Sequence, residues 1–175
     1  HRQVKLVLDH LDQLRPQLPV LIGGDWNTTT YNSKRALYSI AGFFRRMTMG
    51  VEYFVKTHYL HPYLWFERKL FKELERRGYV YLDLNEPGVG TLPYDVSNLA
   101  VKQNMGDWIP GWCFWFIRWA LRDIEGRCSL KLDWFTGKGI KADSVHRPRV
   151  IINLQDAEGP LSDHDAIVLD FVLSK

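Results

Sequence analysis

The spacing of apolar residues predicts a chain in which helices and strands are interspersed. Apolar positions recur every three or four residues in four stretches, which predicts helices at residues 2–15, 33–46, 65–77 and 111–123. Short apolar runs predict strands at residues 19–24, 79–84, 130–136, 149–154 and 165–173, the first of them buried. This order of elements favours a layered α/β architecture.

Proline and glycine mark several boundaries between these elements. Pro16 lacks a backbone donor and is expected to stop the first helix, and Gly78 is placed to end the third. Residues 47–63 are rich in Tyr and His without a clear period, so we expect irregular chain there. Residues 85–104 contain many turn-forming residues and predict a long loop.

The most apolar segment spans residues 111–123. Its tryptophans, among them Trp115 and Trp119, share one helical face, and only Arg118 and Arg122 form a polar stripe. Such a helix must be buried nearly all round or must meet a partner. Packing in the core, a wall that binds an apolar substrate tail, and contact with a membrane surface are three interpretations.

The composition fits one globular domain covering residues 1–175. Hydrophobic residues make up 46% and charged residues 25%, enough for one core in a chain of this length. No apolar run is long enough to span a bilayer. The net charge of +3 permits a polyanionic partner without requiring one. Cys113 and Cys128 form no CxxC pair, which favours a reduced, cytoplasmic setting.

Asp25 and Asn27 follow the first predicted strand at a spacing of two. In an extended chain their side chains project to the same side. A carboxylate there can accept a proton from an attacking water, and an amide can donate to a phosphate oxygen. The alternative is a simple turn, because Asp and Asn favour turns after strands.

Asp163 and His164 precede the last predicted strand. An ionised Asp is a hard oxygen ligand suited to Mg²⁺ or Mn²⁺, and the neighbouring His can donate to a phosphoryl oxygen. Alternatively, Ser162 caps a turn and His164 is an ordinary surface imidazole.

Asp133 lies within an otherwise mostly apolar predicted strand. Burying a carboxylate without a partner is costly. A histidine, His164, is the partner we expect, because a carboxylate fixes the tautomer of the ring and raises its basicity. The alternative is a solvated position on the strand.

Three motifs follow one another along the chain: Gly24-Asp25-Trp26-Asn27, Leu132-Asp133-Trp134-Phe135 and Ser162-Asp163-His164. In order and residue type they resemble the endonuclease/exonuclease/phosphatase (DNase I-like) superfamily. The resemblance covers residues 1–32 and 128–175, whereas residues 33–127 are less typical. It is specific for the superfamily and unspecific for the substrate.

The resemblance implies a role for each motif residue. Asp25 would orient or deprotonate the attacking water and contribute to the metal site, and Asn27 would contact the scissile phosphate. Asp163 would help to bind Mg²⁺ or Mn²⁺. His164 would stabilise the transition state, and Asp133 would hold its imidazole.

The resemblance also implies a fold, a two-sheet α/β sandwich of mixed sheets flanked by helices, of which this chain would be the C-terminal portion. The main metal ligand of the superfamily, a Glu, would lie before His1. We therefore expect the 175-residue chain alone to lack metal-dependent hydrolysis and to self-associate through an exposed inner sheet face.

Two functions remain open from the sequence. The first is a metal-dependent phosphoesterase acting on a phosphodiester or phosphomonoester, with a nucleic acid or a phospholipid head group as possible substrates. The second is a non-catalytic domain that binds a partner or a membrane through the tryptophan-rich helix. His58 and His61 suggest a metal pair, but no third ligand has suitable spacing, and a tyrosine-rich loop is favoured there.

Overall fold

The computed structural model describes residues 2–14, 18–28, 50–95, 115, 119 and 127–174. The predicted helix at 33–46 and most of the predicted helix at 111–123 lie outside these residues.

The described helices are α1 (Arg2–Leu14), α2 (Val51–Phe54) and α3 (Arg68–Arg76). A π-helix (Val55–Tyr59) continues α2, and two short 3₁₀ helices cover Pro62–Leu64 and Leu82–Leu84. The described strands are β1 (Val20–Asp25), β2 (Leu92–Asp95), β3 (Arg127–Leu130), β4 (Asp133–Lys138), β5 (Ile140–Ala142), β6 (Arg149–Ile151), β7 (Gln155–Asp156), β8 (Gly159–Pro160), β9 (Ala166–Val168) and β10 (Phe171–Leu173).

Two of the predicted helices are confirmed. α1 matches the prediction closely, and α3 begins three residues later than predicted but ends before Gly78, whose φ of 79° is the left-handed conformation that glycine favours. The expected irregular chain at 47–63 is wrong over residues 51–59, which are helical. Stacking of Phe54 on His58, four residues apart, stabilises this segment.

The longest strand pair is β1 with β4, antiparallel from Val20 opposite Lys138 to Asp25 opposite Asp133. The prediction that this strand is buried is wrong, since Leu21 is 38% exposed. Only one face of β1 packs on the core. Gly23 lies against the ring of Phe135. A Cβ at this position would stand 2.7 Å from the Cε1 atom of that ring, too close for any other residue without a shift.

Two predicted strands are interrupted where the chain changes its pairing partner. The run predicted at 130–136 contains the end of β3, which pairs with β2, and the start of β4, which pairs with β1. The run predicted at 165–173 divides into β9, which pairs with β6, and β10, which pairs with β5. An apolar run does not encode these changes of partner. The run predicted at 149–154 ends as a strand at Ile151.

The strand predicted at 79–84 is a single bridge followed by a 3₁₀ helix. Val80 and Gly137 exchange two backbone hydrogen bonds of 2.7 and 2.9 Å. Further along, the Asn85 side chain bonds the backbone of Phe135 as a neighbouring strand would. Its Nδ2 donates to the carbonyl of Phe135 at 2.7 Å, and its Oδ1 accepts the amide N–H of Phe135 at 2.9 Å. The predicted loop at 85–104 contains β2.

The core lies between α1, α3 and the inner face of β4. Its fully packed members are Leu8, Phe71, Leu74, Tyr79, Tyr81 and Trp134. The rings of Phe71 and Trp134 meet edge to face with centroids 4.9 Å apart. Trp134 therefore anchors the strand that begins with Asp133.

The chain combines helices with antiparallel strands, so the coarse α/β class is confirmed. Within the described ranges each strand pairs with one other strand and every pair is antiparallel, so the mixed sheets implied by the resemblance are not seen there. None of the helices in the described ranges combines the length and the apolarity that crossing a bilayer requires.

Candidate active site

The end of the β1–β4 pair brings the first two motifs together. Asp25 and Asp133 are direct cross-strand partners, the last residue of β1 opposite the first of β4. One residue further, the amide of Trp26 donates to the carbonyl of Leu132 at 3.0 Å, so the pairing continues into the first motif. Two motifs that are distant in sequence thus share one strand end.

The third motif joins them through its histidine. Nδ1 of His164 lies 2.7 Å from Oδ2 of Asp133, which confirms the predicted contact. The side chains are 26% and 13% exposed respectively, so the pair is shielded but reachable. A proton on Nδ1 donates to the carboxylate, and this arrangement leaves Nε2 as the ring nitrogen available to another group.

The surroundings of His164 favour its protonated form. Burial lowers the pKa of the imidazole, but the hydrogen bond to Asp133 and the negative charges of Asp133, Asp163 and Asp25 outweigh burial and raise the pKa above its ordinary value. Three of the other four predicted site residues therefore act electrostatically on the His164 imidazole.

Asp25 and Asn27 form the turn that was the alternative to a catalytic role. The amide N–H of Asn27 donates to Oδ1 of Asp25 at 2.8 Å, and Nδ2 of Asn27 donates to Oδ2 of Asp25 at 3.1 Å. Asn27 has a φ of 50°, a left-handed conformation that Asn tolerates. The turn holds both carboxylate oxygens in a fixed direction at the exposed end of β1.

Ser162 likewise forms the predicted turn. Its hydroxyl oxygen accepts the backbone N–H of His164 at 3.0 Å. Asp163 is exposed beside it. The turn and the contact with Asp133 coexist, so His164 is not an ordinary surface imidazole.

Thr91 and Lys131 were not singled out from the sequence. The Thr91 hydroxyl accepts the backbone N–H groups of Leu132 and Asp133 at 3.1 and 3.0 Å. Nζ of Lys131 donates to the carbonyls of Glu86 and Val89 at 2.9 and 3.0 Å. These contacts involve backbone atoms, so no spacing of residue types in the sequence predicts them.

Lys131 is almost fully buried, with 2% of its surface exposed. Burial lowers its pKa to about 8, against the smaller opposing effect of the charges of Glu86 and Asp133. Its ammonium group also lies 5.0 Å from the centre of the Trp134 ring. The Lys131 side chain thus connects the segment that precedes Thr91 with Trp134 of β4.

The donor chemistry of the site suits a hard divalent cation only in part. Asp25 and Asp163 are exposed carboxylates that both act on the His164 imidazole, and Mg²⁺ often takes one or two protein carboxylates and keeps several waters. No group of three His, Cys, Asp or Glu side chains arranged to hold a metal occurs among the residues that the structure describes. The fit is therefore limited to the chemistry of the two carboxylates, Asp163 and Asp25.

The two histidines considered as a metal pair, His58 and His61, contact aromatic side chains. His58 stacks between Phe54 and Trp65, with ring centroids 4.3 and 4.8 Å away, and His61 contacts the Tyr63 hydroxyl through Nδ1 at 3.0 Å. These histidines take part in aromatic packing, so the metal-pair interpretation gains no support from them.

Trp115 and Trp119 are both helical. They are 73% and 49% exposed, so packing in the core is wrong for these two side chains.

Comparisons with protein-family models, with curated proteins and with solved structures found no match.

Proposed function

We propose that this chain carries part of the active site of a metal-dependent phosphoesterase, built on a DNase I-like α/β sandwich. The hydrogen bond between His164 and Asp133 is the observation on which this proposal chiefly rests. A carboxylate-held imidazole beside two further carboxylates suits the binding and hydrolysis of a phosphate ester.

His164 would serve the phosphoryl group. With Nδ1 held by Asp133, a protonated ring presents an Nε2–H donor to a phosphoryl oxygen. The raised pKa keeps this donor charged to a higher pH than an ordinary histidine allows. Stabilising negative charge as it develops on the phosphate is the largest contribution that such a group makes to rate.

Asp25 would act on the attacking water, and Asn27 would hold Asp25 and contact the phosphate. The Asp25 carboxylate, held by two hydrogen bonds from Asn27, can accept a proton from that water. One N–H of Asn27 Nδ2 donates to Oδ2 of Asp25, and Nδ2 would contact a phosphate oxygen with its second N–H or in place of that bond.

Mg²⁺ or Mn²⁺ would be held by Asp163 with Asp25, together with ligands from outside this pair. A bound divalent cation supplies charge that polarises the phosphate and stabilises the leaving oxygen.

Manganese offers a test that does not need turnover. Paramagnetic Mn²⁺ added to the 175-residue chain should broaden the imidazole NMR signals of His164 at low stoichiometry, and excess Mg²⁺ should restore them. The double variant Asp25→Asn, Asp163→Asn should lose this broadening, whereas Asp143→Asn, at an acidic residue remote in sequence, should keep it. Equal broadening in all three proteins would contradict the proposed metal site.

A second candidate function is favoured by the exposure of the two tryptophans. Trp115 is 73% exposed on a helical segment, and a large aromatic ring in that position suits an interfacial membrane contact. Anionic vesicles should then bind the chain, and Trp115→Ser should weaken that binding while His164→Gln leaves it unchanged. Absence of vesicle binding by the unaltered chain would remove this candidate.

A further inference from the structure

Thr91 contacts the strand that carries Asp133. The Thr91 side chain is fully buried, and its hydroxyl oxygen accepts two N–H groups, from Leu132 at 3.1 Å and from Asp133 at 3.0 Å. Both bonds lie at the point where β4 begins. One of them satisfies the backbone N–H of Asp133, whose side chain holds the imidazole, and the other satisfies that of the preceding residue.

Thr91 also contacts the segment that carries His164. Its carbonyl accepts the N–H of Asp165, the next residue after His164, at 2.7 Å. The side chain of Asp165 in turn accepts the N–H of Asn153 at 2.9 Å, which secures that segment from its other side. One buried residue is thus bonded to the backbone of Asp133 and to the backbone of Asp165, the residue next to His164.

Thr91 is itself held in place. Its N–H donates to the carbonyl of Leu130 at 2.8 Å. The ammonium group of Lys131 binds the carbonyls of Glu86 and Val89, which fixes the loop that leads to Thr91. A buried ammonium ion needs such partners, so this loop has little freedom to move.

We propose that Thr91 is a positioning residue that sets the separation between Asp133 and His164. The 2.7 Å bond between their side chains leaves little tolerance, because a displacement of about 1 Å takes such a contact outside hydrogen-bonding distance. The consequence for turnover rests on the proposed phosphoesterase function. The positional role itself does not require turnover.

The test compares two buried threonines on the same scaffold. Thr91→Val removes the hydroxyl at nearly constant volume, and Thr91→Ser retains it. Thr136→Val is the matched control, because Thr136 is also fully buried and its hydroxyl donates to the carbonyl of Val80 at 3.0 Å, away from Asp133. The readout is the NMR signal of the His164 Nδ1 proton in the 175-residue chain, whose downfield position reports the hydrogen bond to Asp133.

Thr91→Val should move the His164 Nδ1 proton signal upfield or abolish it, and Thr91→Ser and Thr136→Val should leave it in place. An unchanged Nδ1 proton signal in folded Thr91→Val overturns the positioning role. If Thr91→Val does not fold, amide exchange in the unaltered chain decides. Protection of the Asp133 and Asp165 amides comparable to that of Gly137 is then expected, and free exchange at both overturns the proposal.

Turnover separates this proposal from the function on which it builds. In an active complete gene product, Thr91→Val should lower kcat on the order of 10-fold, and Thr91→Ser should restore it. A complete product without hydrolytic activity contradicts the phosphoesterase function, whereas the Nδ1 proton signal of His164 still decides the role of Thr91.

Discussion

Nδ1 of His164 and Oδ2 of Asp133 lie 2.7 Å apart, although 31 residues separate them in the chain. Asp133 begins the strand β4, and His164 follows a turn just before β9. The contact joins two segments that pair with different strands. It therefore reports on the relative position of those segments as well as on the charge of the imidazole.

Asp133→Asn should lower the pKa of His164. Burial already opposes the charged ring, and removal of the main favourable partner leaves burial dominant. Proton NMR titration of the imidazole measures this change. An identical His164 titration in the variant would show that Asp133 does not control the ring.

The same variant should alter the dependence of stability on pH. Because folding raises the pKa of His164, its contribution to the free energy of unfolding is complete below the unfolded pKa of about 6.5. That contribution is lost as the pH rises through the higher folded pKa. Urea unfolding at pH 5.5 and pH 8.5 should therefore show a smaller difference in Asp133→Asn than in the unaltered chain.

Asn27→Ala should be less stable than Asn27→Gly, by about 1 kcal/mol, because alanine is strained at a left-handed φ. The φ of Asn27 in the structure is 50°. Both variants lack the amide that contacts Asp25, so their difference in urea midpoint isolates the backbone effect. Equal midpoints would mean that the turn relaxes to another conformation.

Thr28→Val should reduce the free energy of unfolding by about 1–3 kcal/mol. The buried Thr28 hydroxyl donates to the carbonyl of Lys131 at 2.5 Å and accepts the indole N–H of Trp134 at 3.0 Å, and valine leaves both groups without this partner. Thr28→Ser keeps the hydroxyl and should lose less. Chemical unfolding followed by circular dichroism compares the two variants, and a serine variant as unstable as the valine variant would assign the effect to packing.

Lys131→Met should flatten the stability profile at alkaline pH. Folding lowers the pKa of Lys131 from 10.5 to about 8, so the unfolded chain binds more protons between these values and the unaltered protein gains stability as the pH rises. Between pH 7.5 and 9.5 the gain from this group should be about 2 kcal/mol. Parallel profiles for the two proteins would indicate that Lys131 does not stay charged and buried at neutral pH.

The sequence predicted the parts of the site that depend on residue chemistry. A carboxylate at Asp133 in an apolar strand needs a partner, and His164 was the one expected, so their contact could be inferred without coordinates. The turns at Asp25 and Ser162 follow from local preferences and were foreseen as alternatives.

The sequence did not predict the parts that depend on long-range backbone contacts. Thr91 and Lys131 bind carbonyl and amide groups, which every residue possesses, so their partners leave no pattern in the chain. The interrupted strands have the same explanation. The apolar run at 130–136 does not show that the chain stops pairing with β2 and starts pairing with β1 within it.

Turnover in the complete gene product tests the central claim most directly. With an activated phosphodiester and Mg²⁺, His164→Gln should lower kcat at least about 100-fold. His146→Gln, at an exposed imidazole 3.8 Å from Asp143, should keep the full rate, and both variants should remain folded. A His164→Gln protein that retains the kcat of the unaltered enzyme would contradict the phosphoesterase account.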